Sequence, residues 1–177
     1  IAIIDPLGAH GSSHHFYLFG QARGLKSHDV DVSIYTNSVT PNPNIDGIKF
    51  YQLFGRVFSS KYKFLSGVRY IFGIVISVLH ARFNRHNIFH FHIFYTNFLI
   101  LFNLLFVKLL FGKIVLTVHD VTSFANYRRF SIITNTIYKL TDIILTHNNF
   151  SKKELVNKAP FLQEMISIVP HGNYSSF

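Results

Sequence analysis

Cysteine is absent from the 177 residues, which excludes a disulfide framework and every site built on a thiolate, from Cys-ligated zinc to a sulfur nucleophile. The absence is compatible with a reducing compartment and locates nothing by itself. Acidic residues are scarce: 8 Asp+Glu stand against 17 Lys+Arg, a formal net charge of +9. That balance favours anionic partners such as phospholipid head groups, phosphorylated ligands or nucleic acid. No nucleic-acid-binding motif accompanies the charge, so no nucleic-acid partner is expected. Internal repeats and low-complexity segments are missing too. The chain has no initiator Met and opens on Ile1, Ala2, Ile3 and Ile4, which read as a core strand already under way. Any targeting peptide would lie outside this sequence.

What is present is apolar and aromatic. At 49% hydrophobic and 16% aromatic, a chain of this length can bury one sizeable core, and disorder is not expected. Residues 1–5 read as a buried strand that ends at Pro6 and Gly8. Ser12 or Ser13 can cap a helix over 16–25, where Phe16, Phe19, Ala22 and Leu25 recur at helical spacing. Residues 30–35 alternate Val30, Val32 and Ile34 with polar residues, as a second strand would, and 48–53 make a weaker third. A basic-flanked apolar helix follows over 64–79. The fourth strand spans 87–94 (NIFHFHIF), an apolar helix 98–111, the fifth strand 113–118 and a helix 130–140. The sixth strand at 142–146, a short helix at 152–157 and the seventh strand at 166–169 complete the series. The 98–111 helix falls short of the roughly 20 apolar residues a membrane span needs and carries Asn103 and Lys108, so it reads as a core helix. Apolar strands alternating with helices predict an α/β, Rossmann-like, doubly wound, mostly parallel sheet of about seven strands.

Ligands of such sheets sit beyond the carboxyl ends of the strands, and those ends are rich in histidine. The first strand is followed by His10, Gly11, Ser12, Ser13 and His14. The fourth carries His90 and His92, and the fifth runs into His119 and Asp120. The sixth meets His147, Asn148 and Asn149, and the seventh His171, Gly172 and Asn173.

Three chemistries compete for this edge. Dinucleotide binding would use the loop GAHGSS, but the G-x-G-x-x-G spacing is incomplete and Tyr35, Thr36 and Asn37 supply no acidic residue for a ribose. The loop can still admit a phosphate or sugar hydroxyl at the helix start, or its glycines can serve the turn alone. A metal site would use His90 and His92, which point to one side of a strand. With no cysteine and few carboxylates nearby, no metal is expected, and the alternative is one histidine hydrogen-bonded under the loop and the other lining the cleft. Polar or acid/base work would fall to His119 with Asp120, since a histidine at such a place can titrate near neutral pH and hydrogen-bond a hydroxyl or a sugar. Asp120, adjacent on an extended segment, points the other way and can cap the next helix.

The ordered set GAHGSSHHFYLFGQARGL, FHFH, LTVHDV, DIILTHNNFSKKEL and ISIVPHGNY resembles the amino-terminal domain of glycosyltransferase family 4, a GT-B-fold group of retaining, nucleotide-sugar-dependent enzymes. The resemblance covers nearly the whole chain. It implies that residues 1–177 form the acceptor-side, Rossmann-like half, that a donor-binding domain lies beyond Phe177, and that this half alone does not turn over. By that likeness Gly8, Gly11 and Ser12 approach the donor phosphates and acceptor, with His14 beside them. His119 lies near the transferred sugar as the catalytic position, holding and polarising it, with Asp120 adjacent. His92 and His147 line the acceptor side, and His171 with Gly172 enter an interdomain hinge. The family's paired glutamates have no counterpart here, where the only glutamates are Glu154 and Glu164. No cofactor is implied beyond the nucleotide sugar as co-substrate.

The resemblance also implies transfer of a hexosyl group to a glycan or lipid-linked acceptor in cell-surface polysaccharide synthesis, in the cytoplasm or peripherally at the inner face of the plasma membrane. Lys61, Lys63, Arg69, Arg82 and Arg85 around the apolar stretch fit that location, and the segment from Phe64 to Arg85 would dock on anionic lipid. A solvated helix with one side in the core is the plainer alternative. Two other functions share the sequence features, a non-catalytic sugar- or phosphate-binding module of the same fold and a His-metal hydrolase.

Overall fold

The computed structural model describes residues 1–10, 14–59, 61–119 and 131–170. Its strands and helices alternate in chain order, and they group into two compact units. The first, Ile1–Asn87, holds strand β1 (Ala2–Asp5), helix α1 (His14–Ser27), strands β2 (Val32–Asn37) and β3 (Ile48–Phe54), and helix α2 (Lys63–Phe83). The second starts at Ile88 and holds β4 (Ile88–Ile93), α3 (Phe98–Leu109), β5 (Lys113–Val118), α4 (Ile132–Leu140), β6 (Ile143–Thr146), α5 (Asn149–Lys158), a 3-10 turn (Pro160–Met165) and β7 (Ile166–Ile168).

Strand order is β3-β2-β1 in the first unit and β4-β5-β6-β7 in the second, and every neighbouring pair within a unit is parallel. The architecture is the expected one, a seven-stranded, all-parallel, Rossmann-like α/β sheet with flanking helices. Parallel neighbours need a long crossover between them, which is why helices punctuate the strands.

In the first unit, Ile3, Val32 and Ile34 pack with Leu18, Phe19 and Ala22 of α1. The helix starts at His14, before the predicted Phe16, and it turns Phe16 outward while burying Tyr17, Leu18, Phe19 and Ala22. The alternation expected of β2 does not appear as one wet and one dry face: all six residues from Val32 to Asn37 are buried. A strand covered on both sides can hold polar side chains only if they are bonded, and Ser33 Oγ meets His86 Nε2 at 2.8 Å.

Helix α2 is the long apolar helix of the first unit. Gly73 lets it approach β3 so closely that a Cβ there would run into the Phe54 ring. Gly73, Ile74, Ser77, Val78 and Ala81 make the buried strip, while Phe64, Leu65, Val68, Ile71, Phe72, Leu79 and Phe83 are exposed. In length and composition α2 meets the requirement for crossing a membrane. Helix α3, with 12 residues, is too short to span, and it buries Asn103, Leu104 and Val107. In the second unit α5 begins at Asn149, earlier than its apolar residues alone suggest, because the Asn148 side chain accepts from Ser151 N at 2.8 Å and caps the first turn.

Candidate functional site

The end of β1 is a turn held from below by polar side chains. Asp5 is buried, and its carboxylate accepts from Leu7 N at 3.2 Å and Gly8 N at 2.8 Å. Burial pushes its pKa up to about 6, against the opposing pull of those two backbone donors. His14 Nε2 stands 3.9 Å from the same carboxylate. Gly8 adopts φ +48°, in the left-handed region, and a Cβ there would collide with the hydroxyls of Thr36 and Thr40. Thr40 Oγ1 also receives Ala9 N at 3.0 Å. Asn37 completes the brace: its amide donates to the carbonyls of Pro6 and Leu7, and its Oδ1 accepts from Val39 N, Thr40 N and the Thr40 hydroxyl. Gly8 therefore has a firm conformational reason to be glycine.

In the second unit the histidines of three strand ends come together. His90 and His92 share one side of β4, as their spacing predicts, and their rings stack with centroids 4.7 Å apart. Their partners differ. His90 is buried and meets Thr117 Oγ1 through Nε2 at 2.8 Å, and burial drives its pKa down to about 3, so the ring is neutral. His92 Nδ1 meets His119 Nε2 at 2.9 Å. His119 Nδ1 meets His147 Nε2 at 3.2 Å, and His147 Nδ1 meets the Val169 carbonyl at 3.0 Å. The result is an unbroken chain of hydrogen bonds from β4 through the ends of β5 and β6 to the residue after β7.

The backbone sets this chain up. His119 N donates to Ile93 O at 3.1 Å and extends the β4–β5 ladder by one residue, while Val169 N donates to Thr146 O at 2.8 Å and does the same for β6 and β7. Phe94 stacks on His119 with planes 17° apart and centroids 4.7 Å apart, which steadies the central ring. Imidazoles linked in series offer ring nitrogens that can orient a hydroxyl or a phosphate oxygen. The H-x-H pair of β4 is thus divided between a structural bond to Thr117 and the ring chain.

Of the residues singled out from sequence, Gly8 and His14 belong to the β1 turn, and His92, His119 and His147 form one array. Gly11, Ser12, Ser13, Asp120, His171, Gly172 and Asn173 lie outside the described residues. Thr36, Asn37, Thr40, Thr117 and the Val169 carbonyl were not foreseen. The signal for Asn37 and Thr40 is the Asn-Ser-Val-Thr run at the end of β2, whose first side chain folds back on the backbone as an Asx turn. No local signal marks Thr117, whose role depends on the pairing of β4 with β5.

Residues 16–173 match the family Glycosyltransferase Family 4. Among solved structures, the chain is similar to a sucrose-phosphate synthase from Thermosynechococcus elongatus at 11% identity and TM-score 0.63, over 97% of this chain and 48% of that one. It is also similar to UDP-GlcNAc 2-epimerase from Methanocaldococcus jannaschii (12%, TM-score 0.61, 96% and 45%) and to MurG from Acinetobacter baumannii (9%, TM-score 0.59, 97% and 45%). The chain thus spans slightly under half the length of these proteins. No curated protein sequence matches it. The family match covers most of the chain, and the fold is the one shared with the solved structures. The chain belongs to glycosyltransferase family 4.

Proposed function

We propose that this chain is the acceptor-side half of a retaining, nucleotide-sugar-dependent hexosyltransferase that acts on a glycan or lipid-linked acceptor in cell-surface polysaccharide synthesis. The family match over residues 16–173 carries the reading. The histidine array supports it by giving the strand edge polar groups for a sugar hydroxyl, with His119 at the centre. The donor-binding half is assigned to chain beyond Phe177, in keeping with the 45–48% of the solved proteins that residues 1–177 span.

The enzyme is assigned to the cytoplasm, peripheral at the inner face of the plasma membrane, with α2 as the docking element. The exposed rings of Phe64, Phe72 and Phe83, with Lys63, Arg69, Arg82 and Arg85 on or beside the same helix, suit an anionic lipid surface. The buried strip around Gly73 supports a helix that lies on the bilayer while anchored to β3.

The test is sugar transfer by the full-length protein from a panel of radiolabelled nucleotide sugars to membrane-extracted acceptors. Transfer from one donor is expected, with His119→Ala lowering it about 100-fold while the thermal transition stays in place. Conversion of a nucleotide sugar without any acceptor would replace the reading with isomerase chemistry, and near-normal turnover by His119→Ala would remove that residue from the site. Vesicle co-sedimentation tests the location, and binding that is indifferent to anionic lipid would end the docking assignment.

A further inference from the structure

Helix α3 is more apolar than its burial requires. Ten of its 12 residues are apolar, yet among them only Leu104 and Val107 are buried, beside Asn103. Phe98 is 73% exposed, Leu105 49% and Leu109 71%. These three stand seven and four residues apart, which places them along one side of the helix, where a helix of a soluble domain ordinarily carries polar residues.

The end of the helix repeats the anomaly. Phe111 N donates to Lys108 O at 2.9 Å and Gly112 N to Val107 O at 3.0 Å, the pair of bonds that closes a Schellman motif. Such a motif needs one left-handed residue, usually glycine or asparagine, and here it is Phe111 with φ +57°. Glycine stands one place later because a Cβ at 112 would run into Val107 and the Phe89 ring. Phe111 is also 91% exposed. The backbone at 111 disfavours a bulky residue and the surrounding water disfavours a phenyl ring, so the fold alone gives no reason for phenylalanine.

The charge near these side chains has one sign. Residues 47–119 hold 9 of the 17 Lys+Arg and none of the 8 Asp+Glu, so the whole net charge of +9 falls in this stretch. Lys108 is paired with Asp142 at 2.6 Å, whereas Lys113, two residues from Phe111, is exposed and has no ion-pair partner among the described residues.

We propose that α3 and Phe111 form a lipid-contacting surface of the second unit, in which Phe98, Leu105, Leu109 and Phe111 enter the acyl boundary of a bilayer rich in anionic phospholipid. The proposal rests on the peripheral-membrane reading and adds to it a surface outside α2. Apolar side chains supply the insertion, and the surplus cations draw the protein to negatively charged head groups. A second copy of this chain could also cover apolar side chains, but a cationic stretch repels its own copy and attracts anionic lipid. The ring of Phe111, exposed almost completely, can leave water for lipid without any change of fold.

The experiment is co-sedimentation of the full-length protein with vesicles of mixed phosphatidylglycerol and phosphatidylcholine, and with vesicles of phosphatidylcholine alone. Phe111→Gly and Leu109→Ser are each expected to weaken partition onto the anionic vesicles about 10-fold. Unchanged partition in either variant overturns the proposal, as does equal wild-type partition onto phosphatidylcholine alone. The melting temperature of Phe111→Gly is expected to hold or rise, because glycine suits φ +57°; a fall assigns Phe111 to the fold and overturns its role at the bilayer. A dimer seen without vesicles by sedimentation equilibrium, and dissociated by Leu109→Ser, gives the stripe to a second copy and overturns it too. Phe72→Ser on α2 keeps the two surfaces apart: weakened partition in that variant alone defeats the α3 surface, and weakened partition in the α3 variants alone supports it while defeating the α2 assignment.

Discussion

The β1 turn and the histidine array both place buried polar groups at strand ends, yet they use them differently. At the turn, Asp5, Asn37 and Thr40 serve the backbone: most of their bonds go to amide N–H groups and carbonyls of residues 6–9 and 37–40. In the array, His92 and His119 bond to other imidazoles, and His147 bonds both to an imidazole and to the Val169 carbonyl. The first arrangement fixes a loop shape, whereas the second links three rings in series.

Acid should have the largest effect, through buried groups that act with opposite signs. The pKa of His90 is lowered to about 3 and that of His86 to about 4, both chiefly by burial, so the unfolded chain takes up these protons near pH 6.5 and the folded chain does not. Their stability contribution is present above about pH 6.5 and is lost as pH falls. Asp5 has the opposite sign: its pKa, raised to about 6 from 3.8, lets the folded state bind the proton first, so acidification from about 6 to 4 favours folding through the turn. Two histidines outweigh one carboxylate, and the melting temperature is expected to fall between pH 6.5 and 4. A flat profile would show that the two histidines do not outweigh Asp5, and Asp5→Asn should steepen the fall.

Gly8→Ala tests the shape-fixing turn directly. With φ +48° and no room beside Thr36 and Thr40, the methyl group should cost about 3 kcal/mol in denaturant unfolding. Loss of less than about 1 kcal/mol would show that the brace yields. Thr117→Val should cost about 2 kcal/mol, because it leaves His90 Nε2 buried without its bond. Asn148→Ala is the mildest, at about 1 kcal/mol for the lost helix cap, with the array's own bonds intact.

Much of this fold was legible because apolar runs end at Gly, Pro or Asn, and β5 falls on residues 113–118 as its composition predicts. Residues 30–35 misled because alternation signals one wet face only when no second layer covers the strand; here a buried histidine satisfies Ser33 instead. The histidines were visible as a count at strand ends. Their linkage was not, since it depends on the parallel register that sets His92 beside Thr117 and on a carbonyl at residue 169 that no side-chain pattern announces. The Asn37 brace escaped for a related reason: its bonds cross 30 or more residues to the β1 turn.

Strand β4 has a bearing on folding as well. Phe89, Phe91 and Ile93 alternate with His90 and His92, so hydrocarbon lies on one side of the strand and imidazole on the other. A slip of β4 by one residue against β5 would exchange them, sending two imidazoles into the hydrocarbon layer and turning three apolar side chains toward Thr117 and His119. Parallel pairing offers no tight hairpin to forbid that slip. The histidines of the candidate site therefore also act as an alignment key, penalising misregistered sheets before any substrate is present.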